Sequence, residues 1–294
     1  MIDKRTITIN FFNVEHSCRF NPFLFYPIWT QEGARNVSEV LIDSLYKNHD
    51  LCFNGVYYFR NASIDFLAAA ILFFANHGAR CYDKNWNELN EVEETDPETG
   101  DVKYSYFDKE GNPAQLYRKK GRFADLPHVL SFFMEEYTTI VNVLMTEEKV
   151  QSLIAPIKMA FRNKAMDQVE GMIGTLRICL ASLVTPEFYW ILSDENPSTT
   201  LEHLEKTKCV VLEQEYRNNI TDVFYAVVKH CLEVGIDSHL NVRFSKSKKS
   251  RTGDIPIFDS SEDYMNRKQK LQANFQRITM EIRELCNDVF KGKC

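Results

Sequence analysis

The sequence lacks the motifs on which nucleotide, metal and serine-hydrolase chemistry depend. A phosphate-binding loop needs glycines that expose backbone amides and a lysine that reaches the terminal phosphates. The one Gly-Lys pair, Gly292-Lys293, has Asn287 where the first glycine of such a loop would stand. The patterns G-x-G-x-x-G, H-E-x-x-H, C-x-x-C and G-x-S-x-G do not occur. We therefore predict that the chain is not an enzyme, that it holds no cofactor and no metal, and that it does not bind Mg-ATP.

Long hydrophobic runs are also lacking. The longest strongly apolar run, Phe66 to Ala75, has ten residues, whereas a helix that spans a bilayer needs about twenty. The first six residues contain no apolar core of a signal peptide. The eight cysteines are scattered without the spacing of a disulfide framework or a zinc site. We expect no membrane insertion by this chain, free thiols and a cytoplasmic location.

An excess of positive charge is absent. The chain has 35 lysine and arginine residues against 41 aspartate and glutamate residues, and its formal net charge is −6. Bulk electrostatics therefore do not indicate a nucleic-acid-binding protein. Hydrophobic residues make up 44% of the chain and charged residues 26%, which is typical of a folded protein and excludes a disordered or repetitive one.

What the chain does contain is a recurring helical period. Apolar residues follow it over residues 36–45, 63–76, 126–144, 152–184, 219–235 and 261–289. Short strands are predicted at 6–14 and 208–212. Gly171 and Gly174 fall inside the long segment 152–184, where we expect either close helix packing or a break of the helix. The predicted fold class is mainly α: a helical bundle with a few short strands and a β-hairpin excursion.

The hairpin is predicted within residues 83–122, which differ in composition from the rest. Residues 83–101 contain eight acids and one lysine. The run Lys103-Tyr104-Ser105-Tyr106-Phe107 lies between two turn sequences rich in Asp, Pro, Gly and Asn, which is a hairpin signal. We expect this excursion to be exposed and charged, and four cations close it: Arg118, Lys119, Lys120 and Arg122.

The last predicted helix carries an apolar seam. Its members are spaced alternately by four and three residues: Leu271, Phe275, Ile278, Ile282, Leu285 and Val289. This is a heptad pattern, and exposed together these residues would form a stripe that soluble monomers rarely tolerate. We predict that the seam is buried against the chain's own helices, with self-association as the alternative.

We divide the chain into three segments. Residues 1–60 hold an N-terminal strand, a loop region and the first helix. Residues 61–205 are expected to form an all-α domain with the hairpin inserted at about 83–122. Residues 206–294 hold a strand and helices of unknown relation to the rest.

Four segments of the sequence, taken together, resemble one family. They are residues 9–23, 64–71 and 126–130, and the most specific one, which begins Asn163-Lys164-Ala165-Met166-Asp167-Gln168-Val169-Glu170-Gly171 and continues to Ser193. The set resembles the type IV secretion coupling proteins, the TraG/TraD class and especially its mobilisation (MobC-like) branch, over about residues 5–212. The resemblance implies a relation to hexameric, membrane-anchored ATPases that deliver relaxase-bound DNA to a conjugation channel. In that family this stretch lies between the two nucleotide-binding motifs and includes an all-α domain inserted in the motor.

The sequence departs from the family after Leu212. The family pattern continues with a hydrophobic strand that ends in Asp-Glu, whereas here Glu213 is followed by Gln214. No position matches a nucleotide-binding residue of the family, so none is carried over. We expect a truncated or rearranged coupling protein, in which the phosphate loop and membrane helices would lie upstream of Met1.

The resemblance implies a role that needs no catalytic residues, because the family's all-α domain faces the cytoplasm and is thought to receive DNA or the relaxase complex. Our hypothesis is a non-catalytic recognition module that contacts DNA, the relaxase complex or other secretion components. Candidate contact residues form two basic clusters: Arg118, Lys119, Lys120 and Arg122, and, in a predicted mobile loop over 243–252, Arg243, Lys246, Lys248, Lys249 and Arg251. One alternative is a helical protein–protein interaction module that acts through the C-terminal heptad helix with no DNA role. Another is an enzyme whose site is assembled by the fold.

Overall fold

The protein is mainly α-helical with two small sheets, as the sequence predicts. The computed structural model describes residues 6–10, 14, 17–48, 56–100, 102–193, 209–214, 219–235, 241–246 and 261–292. The helices are α1 (Gln31–Asn48), α2 (Val56–Asn76), α3 (Leu126–Phe132), α4 (Tyr137–Met145), α5 (Ala155–Arg162), α6 (Met166–Ala181), α7 (Pro186–Leu192), α8 (Asn219–Gly235) and α9 (Ser261–Phe290). The strands are β1 (Thr6–Asn10), β2 (Arg80–Tyr82), β3 (Glu88–Thr95), β4 (Val102–Phe107), β5 (Arg118–Lys120), β6 (Cys209–Gln214) and β7 (Asn241–Lys246).

The core is organised around α2. Every residue from Phe66 to Ala75 is buried, because this helix is apolar on all sides and has neighbours all round it. It packs against α1, α3, α4 and α6. Aromatic contacts link it to α3, since the rings of Phe66 and Phe74 lie edge to face with those of Phe133 and Phe132. The run that is too short to span a bilayer is therefore the central helix of the core.

One sheet is parallel and pairs the first described strand with two strands from the second half of the chain. Its strand order is β1-β6-β7, with Thr6 opposite Cys209 and Cys209 opposite Asn241. The unit β6-α8-β7 is the usual helical crossover between parallel strands. The prediction of a mobile loop from residue 243 was wrong for 243–246, which form most of β7. Apolar and polar residues alternate over 242–245, and this is a strand pattern.

The other sheet is antiparallel, in the order β4-β3-β2-β5, and it contains the predicted hairpin. Its two short strands, β2 and β5, fix it to the core. β2 follows α2 after a turn at Gly78, whose φ is +55°. β5 is followed by Gly121, where a Cβ would collide with the carbonyl oxygen of Phe74 in α2. Only glycine allows the chain to pass this close to the central helix.

Four of the six members of the α9 seam are buried, as predicted, and the other two, Phe275 and Val289, are half-buried against the core. Ile278 and Ile282 have no exposed surface, and Leu271 and Leu285 are also buried. The helix packs against α3, α4 and α7 of the same chain. The seam is therefore used within the chain.

The long helix predicted over 152–184 is two helices. The break lies between α5 and α6, where Lys164 adopts a left-handed backbone with φ +58°. Both explanations offered for Gly171 and Gly174 were wrong, because α6 runs unbroken through them and a Cβ at either position would meet nothing within 4 Å. Within the described residues, no single helix meets the length and apolarity required to cross a membrane, and α6 with α7 meets them only as a pair bent by 87°.

Candidate interaction surface

The most prominent surface feature is a two-stranded ribbon, which we define as residues 88–107: β3, its turn and β4. The strands pair in register from Asn90 opposite Phe107 to Thr95 opposite Val102. Leu89 is buried at the base of the ribbon, whereas residues 90–95 are all exposed. Six residues of β-strand extend about 20 Å. β3 therefore runs out from its buried base with its side chains exposed, whereas β4 is half-buried over residues 104–107.

Aspartate-centred turns fix the two ends of the ribbon. At the tip, the Asp96 carboxylate accepts hydrogen bonds from the amides of Glu98 (2.8 Å) and Thr99 (3.2 Å). After β4, Asp108 accepts from the amides of Glu110 (3.0 Å) and Asn112 (2.8 Å). The amide donors at the tip lower the pKa of Asp96. Such side-chain-to-backbone bonds hold a turn in one geometry, and the turn geometry sets the strand register.

The inner face of the ribbon is braced at its base by a buried cation. Both carboxylate oxygens of Glu91 accept from the Lys119 ammonium, at 2.7 and 2.6 Å. The hydroxyl of Tyr106 donates to the same carboxylate at 3.2 Å, and burial followed by the Glu91 charge raises the pKa of this tyrosine. The Lys149 ammonium lies 4.2 Å from the ring centroid of Tyr104, within the range of a cation–π contact. These contacts hold the ribbon in one orientation.

The outer edge of β4 is open over part of its length. In an antiparallel strand, alternate residues direct their backbone groups to opposite sides. Tyr106 directs its carbonyl away from β3, where it accepts from the amide of Ala114 at 2.8 Å. Val102 and Tyr104 face the same side, and no backbone partner lies on it within the part of the chain that the structure describes. Two residues of β4 thus present unpaired main-chain donors and acceptors.

The first basic cluster does not form an exposed patch. Arg118 and Lys119 are buried, at 6% and 8% exposure, so the expectation of an exposed closing segment was wrong for them. Lys119 holds Glu91, and the Arg118 guanidinium lies near the rings of Trp29 and Tyr117, where burial lowers its pKa. Both side chains, on opposite faces of β5, serve the packing of the sheet.

The other two cations of this cluster differ in exposure. Lys120 is half-buried, and Arg122 is exposed with its guanidinium over the ring of Phe123. The structure therefore leaves Arg122 as the most accessible cation of the four.

The second basic cluster lies mostly beyond the described residues. Arg243 and Lys246 belong to β7, which is an edge strand among the three described strands of the parallel sheet. Lys248, Lys249 and Arg251 lie outside the described residues. The predicted contact of this cluster with DNA phosphates stays a prediction.

A buried polar network that the sequence did not predict links α3 to α9. The imidazole of His128 lies between two carboxylates, with Nδ1 2.6 Å from Asp125 Oδ1 and Nε2 3.0 Å from Glu281 Oε2. Burial by itself would lower the pKa of His128, but the two carboxylates outweigh it and raise the pKa to about 9. Arg277 donates to both oxygens of Glu281, at 2.9 and 2.7 Å. His128 is therefore a buried imidazolium that ties the last helix to the core.

Part of this network has a local sequence signal. Asp125 is the N-cap of α3 and accepts from the amide of His128 at 2.9 Å, which is ordinary capping chemistry. The contact with Glu281 crosses more than 150 positions, and no spacing rule predicts such a pair. Because the imidazole is almost fully buried, the network is suited to holding helices together rather than to acting on a substrate. Within the described ranges, no group of three His, Cys, Asp or Glu side chains is arranged to hold a metal ion.

Known proteins offer no relative from which a function could be transferred. No family model, no curated protein and no solved structure matches the chain. A function must therefore be inferred from the residues themselves and from their geometry.

The four segments that carry the sequence resemblance meet in the core. In the first segment, Arg19 donates from Nε to the carbonyl of Trp190 at 2.9 Å, and its guanidinium lies 4.3 Å from the Trp190 ring centroid. Asn21 donates from Nδ2 to the carbonyl of Ala124 at 2.8 Å, next to the start of α3. The hydroxyl of Ser131 donates to that of Tyr189 at 2.9 Å. These residues position helices within the core.

Proposed function

We propose that the chain is a non-catalytic recognition module that contacts other macromolecules through the ribbon. The single observation that supports this most is the ion pair of Lys119 with Glu91, which anchors the base of a strand whose residues 90–95 are exposed. The sequence resemblance suggests the partners: the relaxase complex bound to DNA, or other components of a conjugative secretion system.

The energetics of the ribbon favour a recognition role. An isolated two-stranded hairpin is marginally stable in water, and ordering each residue costs about 1–2 kcal/mol of backbone entropy. Residues 90–95 bury little surface in return. The contact of Lys119 with Glu91 orders the ribbon before any partner binds. The ribbon therefore loses little conformational freedom on binding, and the entropic cost of binding is lower. Recognition of a partner requires a preorganised element of this kind, whereas packing of the core does not require one.

The alternative of recognition through the C-terminal heptad helix has less support. Ile278 and Ile282 are fully buried against the chain's own helices. A partner helix could reach the seam only if α9 left α3, α4 and α7, which would also separate His128 from Glu281. We therefore assign partner contact to the ribbon.

The proposal is tested with a shortened ribbon that keeps the brace. Residues 93–104 are replaced by Asn-Gly, so that Val92 and Ser105, which pair directly, are joined by a two-residue turn of the favoured type. Glu91, Tyr106 and Lys119 all remain. Binding to a reconstituted relaxase–DNA complex from the same mobile element is measured by interferometry. We expect at least tenfold weaker binding, whereas equal binding by a shortened variant with an unchanged melting curve would overturn the proposal.

A second contact, with DNA phosphates, is proposed for the second basic cluster. Among the three described strands of the parallel sheet, β7 lies at an edge, and this supports the proposal because an edge strand can be approached by another molecule from one side. The test is a quadruple serine variant at Lys246, Lys248, Lys249 and Arg251. In a salt series starting at about 50 mM, we expect the log–log slope of DNA affinity to flatten by about 0.7–0.9 for each phosphate that the variant no longer binds.

The matched control for the DNA contact replaces two exposed lysines of α9, Lys268 and Lys270, by serine. This control should keep the wild-type slope. If the quadruple variant also keeps it, or if the wild-type chain shows no salt-sensitive binding, the cluster has no role in DNA contact.

A further inference from the structure

The open edge of β4 has the properties of a docking site for an extended strand. Val102 and Tyr104 present unpaired backbone groups, and the pairing that begins at Tyr106 and Ala114 ends there because the chain turns away towards β5. An added strand would lie about 4.8 Å from β4 and would pair its own main chain with these groups. The edge is short, so it suits a segment of about four or five residues.

The charge around this edge selects the kind of segment that fits. In the described strands and turn of the ribbon, five acids are exposed, and the one exposed cation is Lys103: the acids are Glu88, Glu91, Glu93, Glu94 and Glu98. Glu91 is neutralised by Lys119 at the base of the ribbon, away from the acids nearer the tip. Glu93 pairs across the strands with Tyr104, and Glu94 pairs with Lys103. Glu93 and Glu94 therefore lie one strand away from an incoming chain, within the distance over which charges act at physiological salt.

We propose that the β4 edge binds a lysine- or arginine-rich extended segment of a partner protein as a fifth strand of the antiparallel sheet. This inference deepens the proposed function and rests on it, since it names how the ribbon contacts its partner. Main-chain hydrogen bonds supply the binding, and the acids of β3 and the tip supply the preference for positive charge.

The acids have another physical role, because charged side chains on edge strands also keep proteins from pairing with copies of themselves. The two roles make opposite predictions. If the acids only protect the edge, a basic strand binds no better than an acidic one.

The experiment uses the full chain and a fluorescein-labelled eight-residue peptide of alternating lysine and valine, with binding measured by fluorescence anisotropy. Tyr104→Pro removes the outward N–H of β4 and leaves the groups of Lys103 and Ser105 that pair with β3, which is a position where an edge strand tolerates proline. We expect at least tenfold weaker binding by this variant. Tyr104→Ala is the reference for this comparison, because it lacks the ring but keeps the backbone donor, and it should bind more tightly than Tyr104→Pro.

The charge preference is tested separately. Replacing Glu93 and Glu94 by glutamine should weaken binding and flatten its salt dependence. A glutamate–valine peptide, and a lysine–valine peptide methylated on alternate backbone nitrogens, should each bind at least tenfold less tightly. Equal binding of these peptides, equal binding by a folded Tyr104→Pro variant, or no binding of the lysine–valine peptide would overturn the inference.

Failure of the edge-docking inference can be distinguished from failure of the proposed function. If shortening the ribbon abolishes binding to the relaxase–DNA complex while Tyr104→Pro does not, the ribbon acts through its faces, and only the edge assignment is wrong. If neither change affects binding to the complex, both proposals are wrong.

Discussion

Replacement of His128 by glutamine should destabilise the protein in a way that depends on pH. The imidazolium lies between Asp125, which is fully buried, and Glu281. Its pKa rises from 6.5 to about 9 in the folded protein, and this difference corresponds to about 3 kcal/mol of preference for the charged form. Glutamine provides hydrogen bonds but no charge, so the buried carboxylate loses its cation. Loss of one partner from a buried ion pair costs on the order of 3–5 kcal/mol.

The sign of the pH dependence follows from the raised pKa of His128. Below pH 6.5 the imidazole is protonated in both the unfolded and the folded chain, and the contribution of the pair to stability is fully present. Between pH 6.5 and about 9 only the folded protein holds the proton, so the contribution falls as pH rises. Above about 9 it is lost. The difference in unfolding free energy between wild type and His128→Gln should therefore shrink across this window.

The assay is urea unfolding followed by circular dichroism at pH values from 6 to 10. His77→Gln is the matched control, because burial lowers the pKa of His77 and its titration contributes nothing above pH 6.5. Other groups with burial-raised pKa values, such as Cys286 at about 12, are common to all variants and cancel in the comparison. A difference that stays constant from pH 6.5 to 9, or a pKa of His128 near 6.5 by NMR, would refute the reasoning.

Three further predictions concern two helices and the expected lack of nucleotide binding. Gly171→Ala should raise the unfolding free energy by about 1 kcal/mol, since the added methyl group meets nothing; a lower urea midpoint would contradict this. Ile278→Asp should lower the unfolding free energy by several kcal/mol, because an unpaired charge enters the buried seam. The control Met280→Asp, at a position 58% exposed, should leave the melting temperature nearly unchanged. Titration calorimetry with Mg-ATP should show no binding, and micromolar affinity would show that the chain contains a nucleotide site that the sequence motifs do not describe.

The elements that the sequence predicts best are those with local signals. The helical period locates the central run at Phe66 to Ala75 and the seam at Ile278, because both depend on the spacing of neighbouring residues. The turn sequences around Asp96 and Asp108 predict the hairpin for the same reason, since a turn is decided by the few residues that form it.

The elements that the sequence does not predict depend on long-range contacts. Thr6 pairs with Cys209, which lies more than 200 positions away. The sequence of neither strand predicts which strand it pairs with. Lys119 belongs to a run of cations that looks solvated, yet its burial depends on Glu91 in another strand. His128 and Glu281 meet only after α9 has packed. The break at Lys164 was missed because apolar spacing continues across it from α5 into α6.

The central claim is that the ribbon is the recognition element of a mobilisation system, and transfer in cells tests it most directly. The frequency of mobilisation is measured in donors that carry either the wild-type chain or the variant with residues 93–104 replaced by Asn-Gly, at matched protein levels. The account predicts at least a tenfold lower transfer frequency with the shortened ribbon, restored by the wild-type chain in trans. Wild-type transfer by donors that carry only the shortened, folded chain would contradict it.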